Sequence, residues 1–440
     1  MSYPANLRSR IQRLSNYSRN GVRVHNEQAG SIVDGASPLK FTLPPNSLCD
    51  LSSCSIHAKI TTNTAGETAT TGKFVSYNLA KNLGIIDRIT IDVNGQAITI
   101  KNYSKIRDVL LNYTMGEANK KFLYGNYDPT KRVNSDGTQV GVLQTLAVDL
   151  VKIDDYFTLD RFISFLAGEP IYIPTSIVGQ VQIIVELLPP NKCMFKGVDT
   201  NADSAAPTYT LSDISMTLDK ISIDDGVYWQ THEQALASGM PFEFKFNNFH
   251  TIEGQAGSKT MTLRTEIQSG SVDMAFFSFH PVVETQSTTA TEKAYNAALN
   301  NHQYFQRSLG NITGVQWSVN GEQRPQYKMK LHEVYNNALT DFEIKLDRDG
   351  GISEKIATKY VWEHYFAVAT CKFSHPMDGS GWVSGTSSEG VPLSISITTD
   401  CSNDTSVTPL GDATQWVPEM TVMSTNVLQA YAGRNIVLIK

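Results

Sequence analysis

From Arg88 to Val93 apolar and polar side chains alternate, with Ile89, Ile91 and Val93 set against Arg88, Thr90 and Asp92. That is the period of a strand buried on one face. Asn94-Gly95 follows, a dipeptide that accepts the positive φ angles of a type I′ turn, so the strand is expected to reverse into a hairpin. Ile106, Val109, Leu110 and Tyr113 then fall at helical spacing and predict a short helix. The same order returns later. Val315, Trp317 and Val319 alternate with polar residues, Asn320-Gly321 follows, and Met329, Val334 and Leu339 continue at looser helical spacing. When Val93 is set over Val319, Leu83/Leu309, Gly84/Gly310, Ile86/Ile312, Ile89/Val315 and Ile91/Trp317 also coincide. With one residue of slippage Asp108-Val109 falls on Glu333-Val334. So long a period excludes a solenoid or propeller blade and predicts two similar domains in tandem.

The remaining pattern divides the chain. Tyr3, Leu7, Ile11 and Leu14 form one helical stripe flanked by arginines, and residues 1–38 read as a basic N-terminal arm. The first β unit runs over 39–190, opening with the alternation of Phe41 and Leu43 and closing on the strand-like GQVQIIVEL from Gly179 to Leu187. Residues 191–208 have linker composition, 209–400 form the second unit, and 401–440 form a tail whose last six residues are a candidate strand or partner-binding extension. Two more matches support duplication: Tyr156-Phe157 with Tyr365-Phe366, and GQVQIIVEL with GVPLSISIT, which begins at Gly390. A helix is expected within 291–308.

Composition changes the picture little. The 440 residues suffice for two cores, and only 18% are charged, so the balance favours strands and loops over charged helices. A net charge of −6 gives no general nucleic-acid footprint. The exception is local: Arg8, Arg10, Arg13, Arg19 and Arg23 all precede the first acidic residue, Glu27. Those arginines belong either to a frayed or docked terminus or to an arm that meets phosphates or an anionic lipid surface. Five cysteines without framework spacing predict reduced thiols, and the absence of an apolar span or signal core predicts a chain made and kept in a cytosolic setting.

Candidate chemistry is sparse. No histidine–glutamate pair has the spacing of a helical zinc site, Cys49 and Cys54 have no answering pair, and phosphate-loop and nucleophile-elbow motifs are missing. The Asp347–Gly351 stretch opens like a calcium loop, yet position twelve is Thr358 instead of a bidentate glutamate, which leaves a turn. Asp154-Asp155 and Asp224-Asp225 read as solvated strand ends, and Trp317 and Trp229 as core aromatics before sugar or base platforms. No catalytic, metal or cofactor site is expected.

Five stretches carry a resemblance: FTLPPNSLCDLSSCSIHAKITT, IDRITIDVNGQAI with NYSKIRDVLLNYT, EPIYIPTSIVGQVQIIVEL, DKISIDDGVYW and VQWSVNGEQRPQYKMKLHEVYNNAL. In that order they resemble the double-jelly-roll major capsid proteins of tailless icosahedral double-stranded DNA viruses, in particular the polinton-like virus and adintovirus group. The resemblance implies an all-β chain of two tandem eight-stranded jelly rolls, with short loop helices and a basic N-terminal arm. It also implies a homotrimeric, pseudo-hexagonal capsomer of a virion shell assembled inside the host cell, contacting neighbouring capsomers and penton and minor capsid proteins. Arg8, Arg10, Arg13, Arg19 and Arg23 are then placed on the inner face, toward membrane, genome or a neighbouring capsomer. The competing expectation is a two-domain β-sandwich that binds carbohydrate or acts as an adhesin.

Overall fold

The computed structural model describes residues 17–28, 30–63, 75–77, 84–114, 132–133, 139–140, 154–160, 162–168, 172–196, 208–223, 226–282, 303–342, 359–373, 385–388, 391–401 and 416–439. Eight strands build a first barrel: β1 Tyr17–His25, β2 Leu39–Thr42, β3 Leu48–Asn63, β4 Ile86–Val93, β5 Gln96–Ile100, β6 Asp154–Leu159, β7 Val181–Leu187 and β8 Thr208–Ile223. They lie in two antiparallel sheets of order β1-β8-β3-β6 and β2-β7-β4-β5. The second barrel repeats this with β9 Phe242–Glu253, β10 Met261–Ile267, β11 Val272–Pro281, β12 Ile312–Val319, β13 Glu322–Met329, β14 Ala369–Lys372, β15 Leu393–Cys401 and β16 Trp416–Tyr431. Its sheets are β9-β16-β11-β14 and β10-β15-β12-β13, the same order element for element, and β17 Asn435–Ile439 adds to β16. Each barrel is a jelly roll, in which first and last strands are neighbours.

The repeated hairpins match end to end: setting Val93 over Val319 brings both the first and the last residue of β4 onto those of β12. Asn94 and Gly95 have φ of 49° and 92°, and Asn320 and Gly321 have 51° and 85°, so both turns place two residues in the left-handed region. A helix follows each, α1 Tyr103–Thr114 and α3 Leu331–Asp341, while α2 Gly226–Ala237 joins the barrels and α4 Lys359–Tyr365 precedes β14. Alternation is strict where a strand has one open side, as in β7, buried at Val181, Ile183, Val185 and Leu187.

Several sequence boundaries move. Tyr17–His25 is no arm but a barrel strand, paired residue for residue with β8 from Tyr17↔Ile223 to His25↔Ser215. Residues 208–223 accordingly belong to the first barrel, and the junction is α2 in place of 191–208. The expected tail supplies the eighth strand of the second barrel, and its last residues form β17. The pairing escaped because β1 is polar and largely exposed, and β8, whose residues 211–223 read as the opening of the second unit, breaks its alternation at register shifts after Ser212 and Thr217.

Two of the repeat alignments also change. Val93 pairs with Val181 and Val319 with Ile395, so the counterpart of Val181 is Ile395, whereas laying GQVQIIVEL on GVPLSISIT would have set it on Pro392. An odd slip of that kind would turn every side chain to the wrong face. Tyr156 lies in β6 whereas Tyr365 ends α4, so that pair is not equivalent. Residues 283–302, 343–358, 374–384 and Asp224-Asp225 fall outside the described residues, and with them the Asp347 turn and most of the expected 291–308 helix. Among the described residues no helix is long and apolar enough to cross a membrane.

Candidate functional site

The most heavily buried chemistry lies where the two barrels meet. Apolar spacing puts Ile106, Val109 and Tyr113 of α1 into the first core, and the second barrel covers what would otherwise be its outer side, so Lys105 is 2% exposed. Lys105 Nζ reaches across the seam to Glu419 Oε2 at 3.7 Å. The same carboxylate takes Arg307 Nη1 at 2.8 Å and faces His280 Nε2 at 3.7 Å. Arg307 also donates to Ser278 Oγ at 2.9 Å, and Lys105 sits 4.6 Å above the Tyr304 ring. Burial alone would raise the Glu419 carboxyl; Arg307, then Lys105 and His280, overcome it and hold the group at about 2.

Glu253, His280 and Glu419 place one ligand atom each within 4.8 Å of one another. The donor set does not suit a cation, because Lys105 and Arg307 already direct two positive charges at Glu419. Glu253 instead accepts from the Asn102 amide at 3.2 Å, a second polar tie between barrels. The cluster is an electrostatic lock, strongly destabilised if one partner is removed.

Further contacts extend the seam. Tyr113 Oη accepts from Trp362 Nε1 at 2.6 Å and donates to the Phe366 carbonyl at 3.0 Å, with its ring stacked on Phe342 at 4.7 Å. Burial pushes that phenol well above its ordinary range, so it stays a neutral donor. Phe165 meets Phe246 edge-on at 5.3 Å. Beside it, a Cβ at Gly168 would stand 2.7 Å from the Lys245 carbonyl, so only glycine allows the approach. The first hairpin turn is used too: Asn94 Nδ2 donates to the Arg434 carbonyl at 2.8 Å.

A second buried cation supports the neighbouring loop. Lys259 Nζ donates to Ser308 Oγ and the Gly310 carbonyl at 3.0 and 3.1 Å and lies 4.0 Å over the Trp416 ring. Burial first and Lys259 second push His364 down to about 4. A Cβ at Gly310 would approach His364 Nδ1 to 2.3 Å, which explains that glycine.

Of the residues singled out from the sequence, Arg8, Arg10 and Arg13 lie outside the described residues. Arg19 and Arg23 stand on β1, where Arg19 binds Asp219 at 2.5 Å and Asp50 at 2.9 Å, inside the barrel's own sheet. Trp317 is fully buried, and the five cysteines are free, four of them buried. The seam residues were missed, although one signal exists: Glu419 is a lone acid in the mainly apolar run Trp416–Met423, whereas Lys105 shares its helix with Arg107 and Asp108 and does not stand out.

The fold and its seam define a class, the double jelly roll. Solved structures similar to the whole chain are a chain of the PBCV-1 virus capsid (TM-score 0.57, 11% identity, 97% of each chain covered) and the Faustovirus major capsid protein (0.57, 9%, 97% of this chain and 91% of that one). The mavirus major capsid protein is similar as well (0.54, 11%, 95% and 89%). No protein-family model matches the chain, and no curated protein matches it in sequence. At such identities the shared property is the fold.

Proposed function

We propose that this chain is the major capsid protein of an icosahedral double-stranded DNA virus, three copies closing into a pseudo-hexagonal capsomer. The observation that carries the reading is the duplication: two jelly rolls of identical strand order, joined through a buried seam, so that three chains supply six similar blocks for a near-sixfold tile. Similarity to capsid proteins over nearly the whole chain supports it. The role is structural, since the buried ionisable groups of the seam are engaged with one another away from solvent. The protein then resides in the virion shell, assembled inside the host cell, with neighbouring capsomers, penton and minor capsid proteins as partners. Arg8, Arg10 and Arg13 supply contacts to an inner membrane or the genome.

Light scattering of the purified protein tests the reading: a mass of about 146 kDa, three times 48.6 kDa, is expected from closed self-association. Imaging of assembled particles follows. A monomer that binds glycans would instead favour the carbohydrate-binding or adhesin alternative.

A further inference from the structure

One strand position is completed differently in the two barrels. In the first barrel β3 runs along β8 as far as Leu48↔Ile221. In the second, β11 begins at Val272↔Ser424, and beyond it β17 lies along β16 from Asn435↔Tyr431 to Ile439↔Val427, in the same direction as β11. β17 thus holds the place that Leu48 to Asp50 hold in the first barrel.

The outer edges of these two stretches differ. Leu48, Cys49 and Asp50 pair on that side with the short strand Tyr172–Pro174, and all three are buried. Among the described residues β17 pairs with β16 alone, and its Val437 and Ile439 are 40% and 37% exposed. Ile436 and Leu438 alternate with them and pack against the core. Both faces of the strand are apolar, and only one is covered.

An exposed edge invites uncontrolled pairing, and other edge strands of this chain carry charges or proline that oppose it. β1 has Arg19 and Arg23, β9 has Glu243 and Lys245, β10 has Arg264 and Glu266, and β13 has Arg324, Pro325 and Lys328. From Asn435 to Ile439 there is no charge, proline, glycine or register shift. We infer that β17 is a docking edge for an extended apolar segment of a second protein, which adds to it as an antiparallel strand.

The first barrel and the local charge together define that segment. The strand that fills the corresponding edge there is apolar, and Glu169 stands three residues before it. Around β17 the sequence is cationic: Arg434, exposed, precedes the strand, and Lys440 follows it. A second copy of β17 laid antiparallel with Val437 opposite Val437 would set Arg434 against Lys440, so like charges oppose self-pairing. The occupant is a partner segment of alternating β-branched or aromatic residues with an acid at each end.

The test titrates the full chain into a fluorescent peptide, acetylated Glu-Val-Tyr-Val-Thr-Val-Glu amide, and reads anisotropy. Saturable binding is expected, weakened about tenfold when both end residues of the peptide are lysine. The double variant Val437→Ser, Ile439→Ser changes exposed positions only, so its mass and unfolding midpoint should match the parent while its affinity for the peptide falls about tenfold. No saturable binding, or equal binding by parent and variant, overturns the docking. Equal binding of the acid-ended and lysine-ended peptides overturns the partner's assigned chemistry. A concentration-dependent doubling of mass in the parent that the double variant abolishes gives the edge to a second copy and overturns the partner. The threefold mass is read separately, so failure of the docking leaves that reading standing.

Discussion

Trp362 donates its indole N–H to the hydroxyl of Tyr113 at 2.6 Å, joining the helix of the first barrel to the segment that leads into β14 of the second. Both side chains are buried, Tyr113 at 2% and Trp362 at 1% exposure, so neither polar atom has water to fall back on. Tyr113→Phe keeps the ring on Phe342 but removes the acceptor of the Trp362 N–H and the hydroxyl that donates to the Phe366 carbonyl. The expected loss is about 1–3 kcal/mol, read as a lowered urea midpoint. Adding Trp362→Phe should then cost less than the two single changes together, because a group with no partner left has little more to lose.

Removing the charge of Glu419 has a larger effect. Glu419→Gln leaves Arg307 and Lys105 buried against a neutral amide, and a loss of about 3–5 kcal/mol is expected. The group also sets an acid limit. Its folded pKa of about 2 lies below the ordinary 4.5, so its stabilisation is complete above about 4.5 and is lost as pH falls toward 2. Urea midpoints at pH 5, 4 and 3 should fall less steeply in Glu419→Gln than in the parent chain; equal slopes would contradict the assignment.

These contacts divide what the residues announce from what they conceal. The two hairpins are local, each held by an alternating strand and an Asn-Gly turn, so their equivalence was readable and the strand bounds agree with it. Pairing of β1 with β8 joins the two ends of the first barrel's sequence through a polar strand and an irregular one, and nothing local marks it. The lock at Glu419 fell between these cases. A single acid in an apolar strand implies a buried cation, but the sequence does not say that two of them come from Lys105 and Arg307, in different barrels.

His364 predicts a second pH window, nearer neutrality. Its folded pKa, about 4 against an ordinary 6.5, favours the neutral ring, so the stability it permits is present above about 6.5 and declines as pH falls through 4. The full effect is about 3 kcal/mol for a ring 6% exposed in the structure. His364→Gln should therefore flatten the dependence of unfolding midpoint on pH between 6.5 and 4 while leaving the lower window of Glu419 in place. A slope unchanged between parent and variant would assign the titration elsewhere.

At the N-terminus the endpoint of a deletion decides its outcome. Deleting residues 1–16 removes Arg8, Arg10 and Arg13 but stops before β1, so barrels and threefold mass should persist while particle assembly falls, if those arginines face membrane or genome. Deleting residues 1–24 also takes all but the last residue of β1, together with the Arg19 pairs to Asp50 and Asp219, and strips the edge that covers β8 from Ser215 to Ile223. That chain should lose stability and aggregate through the bared strand. Thermal unfolding, light scattering and particle counts on both truncations separate the two roles: normal particles from the shorter deletion would remove the arm from assembly, and a fully stable longer deletion would remove β1 from the barrel.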